Sequence, residues 1–224
     1  MLKKKYLVII AFIVLLVAII AAIYTVQPFS PKEKIGVKAG DVFTYQMTGA
    51  ADVPSSDIAI PENYLDVNRT DYYRVEITNV EYPFVTYIET TQFKNGTSFS
   101  SEGTLNVENG ANTNVGGFWG IFIVNLEKGK LARPAVTDGI TVDSTETRSY
   151  QDGDRPTNFL RAEGEFYDVE DPTFSRTYNA YTYMYVDKQL GILVELKDIQ
   201  IYSEPQIMLT TEWKLVNSNV LQIP

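Results

Sequence analysis

Two patterns of apolar residues divide the chain. From Tyr6 to Tyr24 every residue is apolar or aromatic. A helix over these residues spans roughly 28 Å, close to the hydrocarbon thickness of a bilayer. Beyond Lys38 the apolar residues fall into short runs, many with a period of two, separated by Gly, Pro, Asn and Asp. That is the pattern of β-strands with one buried face. Strands are predicted at Val42–Thr48, Asp71–Val80, Phe84–Lys94, Thr97–Val107, Ile140–Tyr150, Asn158–Tyr167, Arg176–Asp187, Gly191–Ser203 and Ile207–Val216. Glu81-Tyr82-Pro83, Asn95-Gly96 and the stretch from Asp187 to Gly191 supply the turns. Gly49 to Asn68 carries Pro54, Pro61 and a Ser-Ser-Asp cluster, and is expected as a long loop or flap. Asn109 to Gly117 is a polar loop. Phe118, Trp119, Phe122, Ile123 and Leu126 follow helical spacing and stop at Glu127-Lys128-Gly129. A short helix packed on the sheet is predicted there, with a buried strand as the other reading.

The expected fold class is mainly β: an N-terminal transmembrane helix, then a single curved antiparallel sheet, half-barrel or barrel-like, with one short helix. No βαβ rhythm and no Gly-rich phosphate loop is present, which excludes nucleotide-binding α/β folds. Three divisions follow: an anchor over residues 1–26, a tether over 27–39 and an extracytoplasmic β domain over 40–224.

Charge sets the orientation. Lys3, Lys4 and Lys5 precede the apolar segment and favour a cytoplasmic N-terminus, with the C-terminal domain extracellular. A cleaved signal peptide is the rival reading, but its apolar core is usually about 7–15 residues and ends in a small-x-small site. Here the apolar run is longer, and Ile20 stands where a cut after Ala22 needs a small residue. All 28 acidic residues lie beyond the anchor and three of the 19 basic ones precede it, so the exterior part carries a net charge of −12. That argues against nucleic acid and against anionic membrane surfaces as partners.

The chain has no Cys and no His. Disulfides, lipoprotein acylation, Cys nucleophiles, Ser-His-Asp triads and zinc sites built on Cys or His are therefore excluded. No cofactor is expected, and no catalytic, cofactor-binding or metal-ligating residue stands out. Glu163, Glu165, Asp168, Glu170 and Asp171 form an acidic run that would suit a carboxylate-pair hydrolase, and the same run, or else Asp152-Gly153-Asp154, would suit a calcium ion. A solvated strand and turn explains the same run more simply, and no enzyme activity is expected. Asn68 and Asn95 open the sequons Asn68-Arg69-Thr70 and Asn95-Gly96-Thr97, and are glycosylation candidates in an exterior domain. Tyr181, Tyr183 and Tyr185 share one strand face at period two. With Trp119 they are the candidate ligand-facing aromatics, against the plainer reading of an aromatic stripe covering a core edge.

Four stretches carry a family resemblance. Gly40-Asp41-Val42-Phe43-Thr44-Tyr45 resembles the G-D-x-F/V-x-Y opening of a group of archaeal membrane-anchored extracytoplasmic proteins of unknown function. Ile123-Val124-Asn125-Leu126-Glu127-Lys128-Gly129 is similar to their N-L-x-x-G-D, and Arg155-Pro156-Thr157-Asn158 to a third stretch. Tyr185-Val186-Asp187-Lys188-Gln189-Leu190-Gly191-Ile192-Leu193-Val194-Glu195 is similar to Y-W-D-K-x-T-G-x-L-x-E. The chain departs from the pattern at Lys130, Val186 and Leu190. The resemblance implies architecture and location, with no activity attached. The arrangement also looks like the lipoprotein-carrier (LolA-like) half-barrel, which implies an apolar concave face.

Two functions are expected from these readings. The first is a binding or carrier module, tethered to the bilayer through Tyr6–Tyr24, that holds an apolar or lipid-like ligand in the curved sheet behind the Gly49–Asn68 segment. The second is a structural or accessory interaction protein of the cell envelope, docking on a surface-layer or membrane-complex partner without a small ligand.

Overall fold

The structure, a computed structural model, describes residues 34–55, 60, 62–134, 139–151, 153–167, 177–204 and 206–222. The chain forms β1 (Val42–Asp52), α1 (Glu62–Arg69), β2 (Thr70–Glu81), β3 (Phe84–Phe93), β4 (Ser98–Asn106), β5 (Leu131–Arg133), β6 (Ile140–Tyr150), β7 (Gly153–Tyr167), β8 (Thr177–Asp187), β9 (Leu193–Tyr202) and β10 (Ile207–Ser218). The strands make one open antiparallel sheet of ten, in the order β4-β3-β2-β1-β10-β9-β8-β7-β6-β5. Two meanders, β1 to β4 and β5 to β10, are thus joined by the pairing of the first strand with the last. Tyr45 lies opposite Leu215, and Met47 opposite Trp213.

This order puts β4 and β5, consecutive in sequence, at opposite edges. Nine strand spacings separate them, about 43 Å along the sheet. Residues 107–130 must cover that distance, and they do so across one face. An extended chain advances about 3.3 Å per residue and a helix about 1.5 Å, so the crossing favours extended backbone.

Here the structure corrects the sequence reading. Phe118 to Leu126 is not a helix. Its backbone bonds to the β8–β9 connection instead: Phe122 N–H donates to Gly191 O at 2.7 Å, Leu193 N–H donates to Gly120 O at 2.8 Å, and Ile121 bridges Ile192. Of the apolar residues that fit helical spacing, Phe118 and Phe122 are buried against the sheet by this extended path, together with Ile121, while Trp119, Ile123 and Leu126 are partly buried. The short helix is instead α1, inside the segment expected as a flap, where Tyr64 and Val67 face the sheet one turn apart. Its C-terminal end is fastened by Thr70 Oγ1, which donates to Asp66 O at 2.9 Å.

The core lies on the crossed face. Under β1 to β4, Phe118 sits among Tyr45, Tyr73 and Tyr87, with ring centroids at 5.5, 6.2 and 6.2 Å. Ile35, Val37 and Leu221 seal the same layer. Phe122 fills a second cluster with Leu160, Met184, Val186, Leu193 and Leu196. Tyr64 of α1 covers a third with Tyr202, Ile207 and Leu209. The described chain begins at Lys34, inside the expected tether, and Ile35 and Val37 are already part of the core.

Arg133 is buried without a carboxylate partner among the described residues. Its guanidinium donates to Trp119 O at 2.8 Å and Ile121 O at 2.7 Å and stacks on Phe122. Burial pulls its pKa down to about 10, which leaves it charged at neutral pH.

Gly191 shows how closely the crossing segment approaches. Its φ is +69°, and a built Cβ would stand 2.2 Å from Phe122 O. Gly191→Ala is expected to lose about 3 kcal/mol, from left-handed backbone strain and a displaced carbonyl. Thermal melting should fall by roughly 6–12 °C. An unchanged Tm would mean that the segment is not held there.

Candidate functional site

Between α1 and the crossing segment, parts of β8, β9 and β10 are left uncovered. A cleft of about 350 Å³ remains. Tyr64 and Val67 form one wall and Trp119 the other. Leu196 and Asp198 of β9, Thr182 of β8, and Thr211 and Trp213 of β10 form the floor, with Gln200 at its end. The strand period explains the floor: Leu196, Asp198 and Gln200 alternate with outward-facing Lys197 and Ile199, and Trp213 lies opposite Leu196.

The polar part of the floor is organised. Thr182 Oγ1 donates to Asp198 Oδ1 at 2.6 Å, and Gln200 Nε2 donates to Asp198 Oδ2 at 3.1 Å. Tyr202 OH donates to Gln200 Oε1 at 3.3 Å. Burial first, then the Asp198 charge, raises the Tyr64 pKa well above its usual value, so this phenol stays neutral. Two indoles, a phenol, two aliphatic side chains and one carboxylate thus converge. Such a mixture suits a small ligand with an apolar body and one polar end.

Of the aromatics singled out in the sequence, only Trp119 lines this cleft. Tyr181, Tyr183 and Tyr185 lie on the opposite face of the sheet, because their neighbours Thr182, Met184 and Val186 point inward. There Phe159 stacks on Tyr183 at 6.3 Å and meets Tyr185 at 5.1 Å. Arg148 lies over the Tyr185 ring at 3.5 Å and pairs with Glu195 at 2.8 Å. Tyr183 and Tyr185 are partly covered by these neighbours, Tyr181 is half-buried, and none of the three lines the cleft with Trp119. Tyr64, Asp198 and Trp213 were not legible as site residues: β9 and β10 are neighbours in the chain, but α1 reaches them only because β1 pairs with β10.

The two sequons border a second groove, between the end of α1 and the β3–β4 hairpin. Asn68 uses its whole amide: Nδ2 donates to Gly49 O at 2.8 Å, and Oδ1 accepts from Gly49 N–H at 2.9 Å. It acts as a strand partner for β1. Asn95 tips the hairpin, where its Oδ1 accepts from Thr97 N–H and Thr97 Oγ1 and Gly96 takes a φ of +88°. In a glycosylating host, peptide mass mapping is expected to find a glycan at Asn95 and an unmodified Asn68. The reverse pattern would contradict the pairing of Asn68 with Gly49.

Among the described residues no group of three or more acidic side chains could hold a metal ion. Glu163 and Glu165 are exposed on β7, while Asp152, Asp168, Glu170 and Asp171 lie outside the described residues. Among the described residues no helix is long and apolar enough to cross a membrane, and the span expected at Tyr6–Tyr24 lies outside them. No protein-family model, curated protein or solved structure matches the chain.

All four of the stretches compared above meet in space: Tyr45 OH of the first donates to Leu193 O of the last at 2.8 Å. Arg155 Nε donates to Asp187 Oδ2 at 2.7 Å, Asn158 Nδ2 to Leu126 O at 3.0 Å, and Lys188 Nζ to Glu127 Oε1 at 2.9 Å. The last three stretches form a clamp holding the crossing segment to the β8–β9 turn, away from the cleft.

Proposed function

We propose that the chain is a membrane-anchored extracytoplasmic binding module that holds an amphiphilic, single-chain or smaller ligand in the cleft between α1 and Trp119. Tyr6–Tyr24 is its anchor, with the N-terminus cytoplasmic and the β domain outside. The sheet curls as a half-barrel around the cleft, in keeping with the resemblance to the lipoprotein-carrier half-barrel. One observation supports this reading above the others: the chain has two tryptophans, and both line the same cleft. Both pack against the core and still leave surface to the cleft. The remaining volume suits a small ligand or the end of a longer one, not a pair of acyl chains.

The same observation supplies the test. All tryptophan emission of the protein arises beside the cleft. An organic extract of host membranes, added to delipidated full-length protein, is expected to shift or quench that emission, and Trp119→Phe should remove part of the change. Emission indifferent to every fraction of the extract would contradict the reading.

A second reading, an envelope interaction protein with no small ligand, is favoured by the β4 edge. Among the described residues Ser98 to Gly103 has no strand on its outer side, and Phe99 and Val115 stand exposed near it. A partner adding a strand there would leave the tryptophan emission unchanged while ordering the β4 amides against hydrogen exchange.

A further inference from the structure

The cleft beneath α1 contains a carboxylate that no neighbouring charge neutralises. Asp198 has Thr182 and Gln200 as donors, and among the described residues it forms no ion pair. The adjacent Lys197 points to the other face and pairs with Glu212 at 2.9 Å. Each Asp198 oxygen accepts one hydrogen bond and keeps a further lone pair. The walls add no positive charge. Trp119, Trp213 and Tyr64 instead present π systems, whose faces carry negative potential and attract cations. A carboxylate that loses water when the cleft fills needs a compensating partner, and an anionic or neutral ligand cannot supply the charge.

We propose that the cleft takes an organic ammonium group, with the cationic head beside Asp198 and the apolar body against Trp119, Val67 and Leu196. This rests on the reading of the chain as a binding module and narrows its ligand class. Fatty acids and phosphate head groups are disfavoured by the same carboxylate. Neutral sugars stack on indoles as well, but they leave the Asp198 charge uncompensated.

Three probes that share a phenyl body separate the head groups: benzyltrimethylammonium, benzyl alcohol and phenylacetate. Each is titrated calorimetrically into the full-length protein in dodecyl maltoside, an uncharged detergent, with empty micelles as the blank. Benzyltrimethylammonium is expected to bind at least tenfold tighter than benzyl alcohol, and phenylacetate to bind weakest. Asp198→Asn, which keeps both side-chain hydrogen-bond partners in reach, should bring the ammonium down to the affinity of the alcohol and leave the alcohol unchanged. Glu212→Gln removes a carboxylate from the other face and should change neither.

Equal affinities for ammonium and alcohol in the wild type would overturn the proposal without recourse to any variant, while leaving the binding module standing. An ammonium affinity that survives Asp198→Asn, or falls as far with Glu212→Gln, would overturn it too. Absence of heat with all three probes, together with tryptophan emission indifferent to the membrane extract, would overturn both the ammonium and the module.

Discussion

Replacing Glu89 by Ala is expected to destabilise the domain by about 3–5 kcal/mol, read as a lowered denaturation midpoint and a weakened near-ultraviolet signal from the core aromatics. Glu89 is buried on the crossed face of β3. Its carboxylate collects four donors from three parts of the fold. Tyr73 OH of β2 makes a very short bond to it. Ser101 Oγ of β4 donates at 2.8 Å. Asn114 Nδ2 and Phe118 N–H of the crossing segment donate at 2.6 and 2.8 Å. Burial, and next the Glu89 hydrogen bond, raises the Tyr73 pKa well above its usual range, so Tyr73 is a donor at any ordinary pH.

Without the carboxylate these donors face an apolar cavity, and each unsatisfied group costs about 1–3 kcal/mol before water or rearrangement relieves it. The total is therefore less than the sum. Phe118 would lose its tether in the ring cluster of Tyr45, Tyr73 and Tyr87, which is why the aromatic signal should fall with stability. Glu89→Gln keeps the shape but turns an amide NH₂ toward donors, and should cost about 2 kcal/mol. A loss below about 1 kcal/mol for Glu89→Ala would show that the crossing segment is held by its apolar residues alone.

Asp187→Ala is expected to have an effect of similar size, about 3–5 kcal/mol, through a different mechanism. Asp187 is fully buried at the end of β8. Arg155 Nε and Nη2 donate to it at 2.7 and 3.2 Å, and the backbone N–H groups of Gln189 and Leu190 donate at 3.0 and 2.8 Å. The pair itself adds little net stability, because both charges give up water. Removing one partner is what costs most, since the guanidinium loses its buried carboxylate and two turn N–H groups lose their acceptor. Asp187→Asn retains one acceptor oxygen and should cost about half as much. Chemical denaturation measures both, and the ordering Ala worse than Asn is the diagnostic result. A neutral Asp187→Ala would mean that the turn holds its shape through Gly191 and the Phe122 contact without help.

Most strands were legible from their alternation, and β6 was expected with its observed bounds. Tight turns such as Asn95-Gly96 and Asp187–Gly191 fix neighbouring hairpins locally. The β1–β10 pairing was not legible, because nothing local records a contact between strands so far apart in sequence. The same gap explains the misread segment at Phe118–Leu126. Apolar residues at three- and four-residue spacing fit a helix, but they also fit an extended chain draped over a sheet, and only the strand order tells which is needed. In α1, the prolines and polar cluster ahead of it masked the spacing of Tyr64 and Val67.

The site was less legible still. Period two correctly put Tyr181, Tyr183 and Tyr185 on one face, yet β8 is apolar on both faces and periodicity cannot say which one meets the crossing segment. Met184 and Val186 took the core. Asp198 gave no sequence signal, since its place on the cleft floor is set by its three-dimensional neighbours.

The central claim, that the cleft between α1 and Trp119 holds a ligand, is tested most directly by mass. Full-length protein extracted from host membranes in dodecyl maltoside is compared under native and denaturing conditions. Extra mass is expected on the wild type that vanishes on denaturation and is missing or much reduced in Asp198→Asn. A bare native mass for the wild type, or the same extra mass on Asp198→Asn and Trp119→Phe alike, would contradict it.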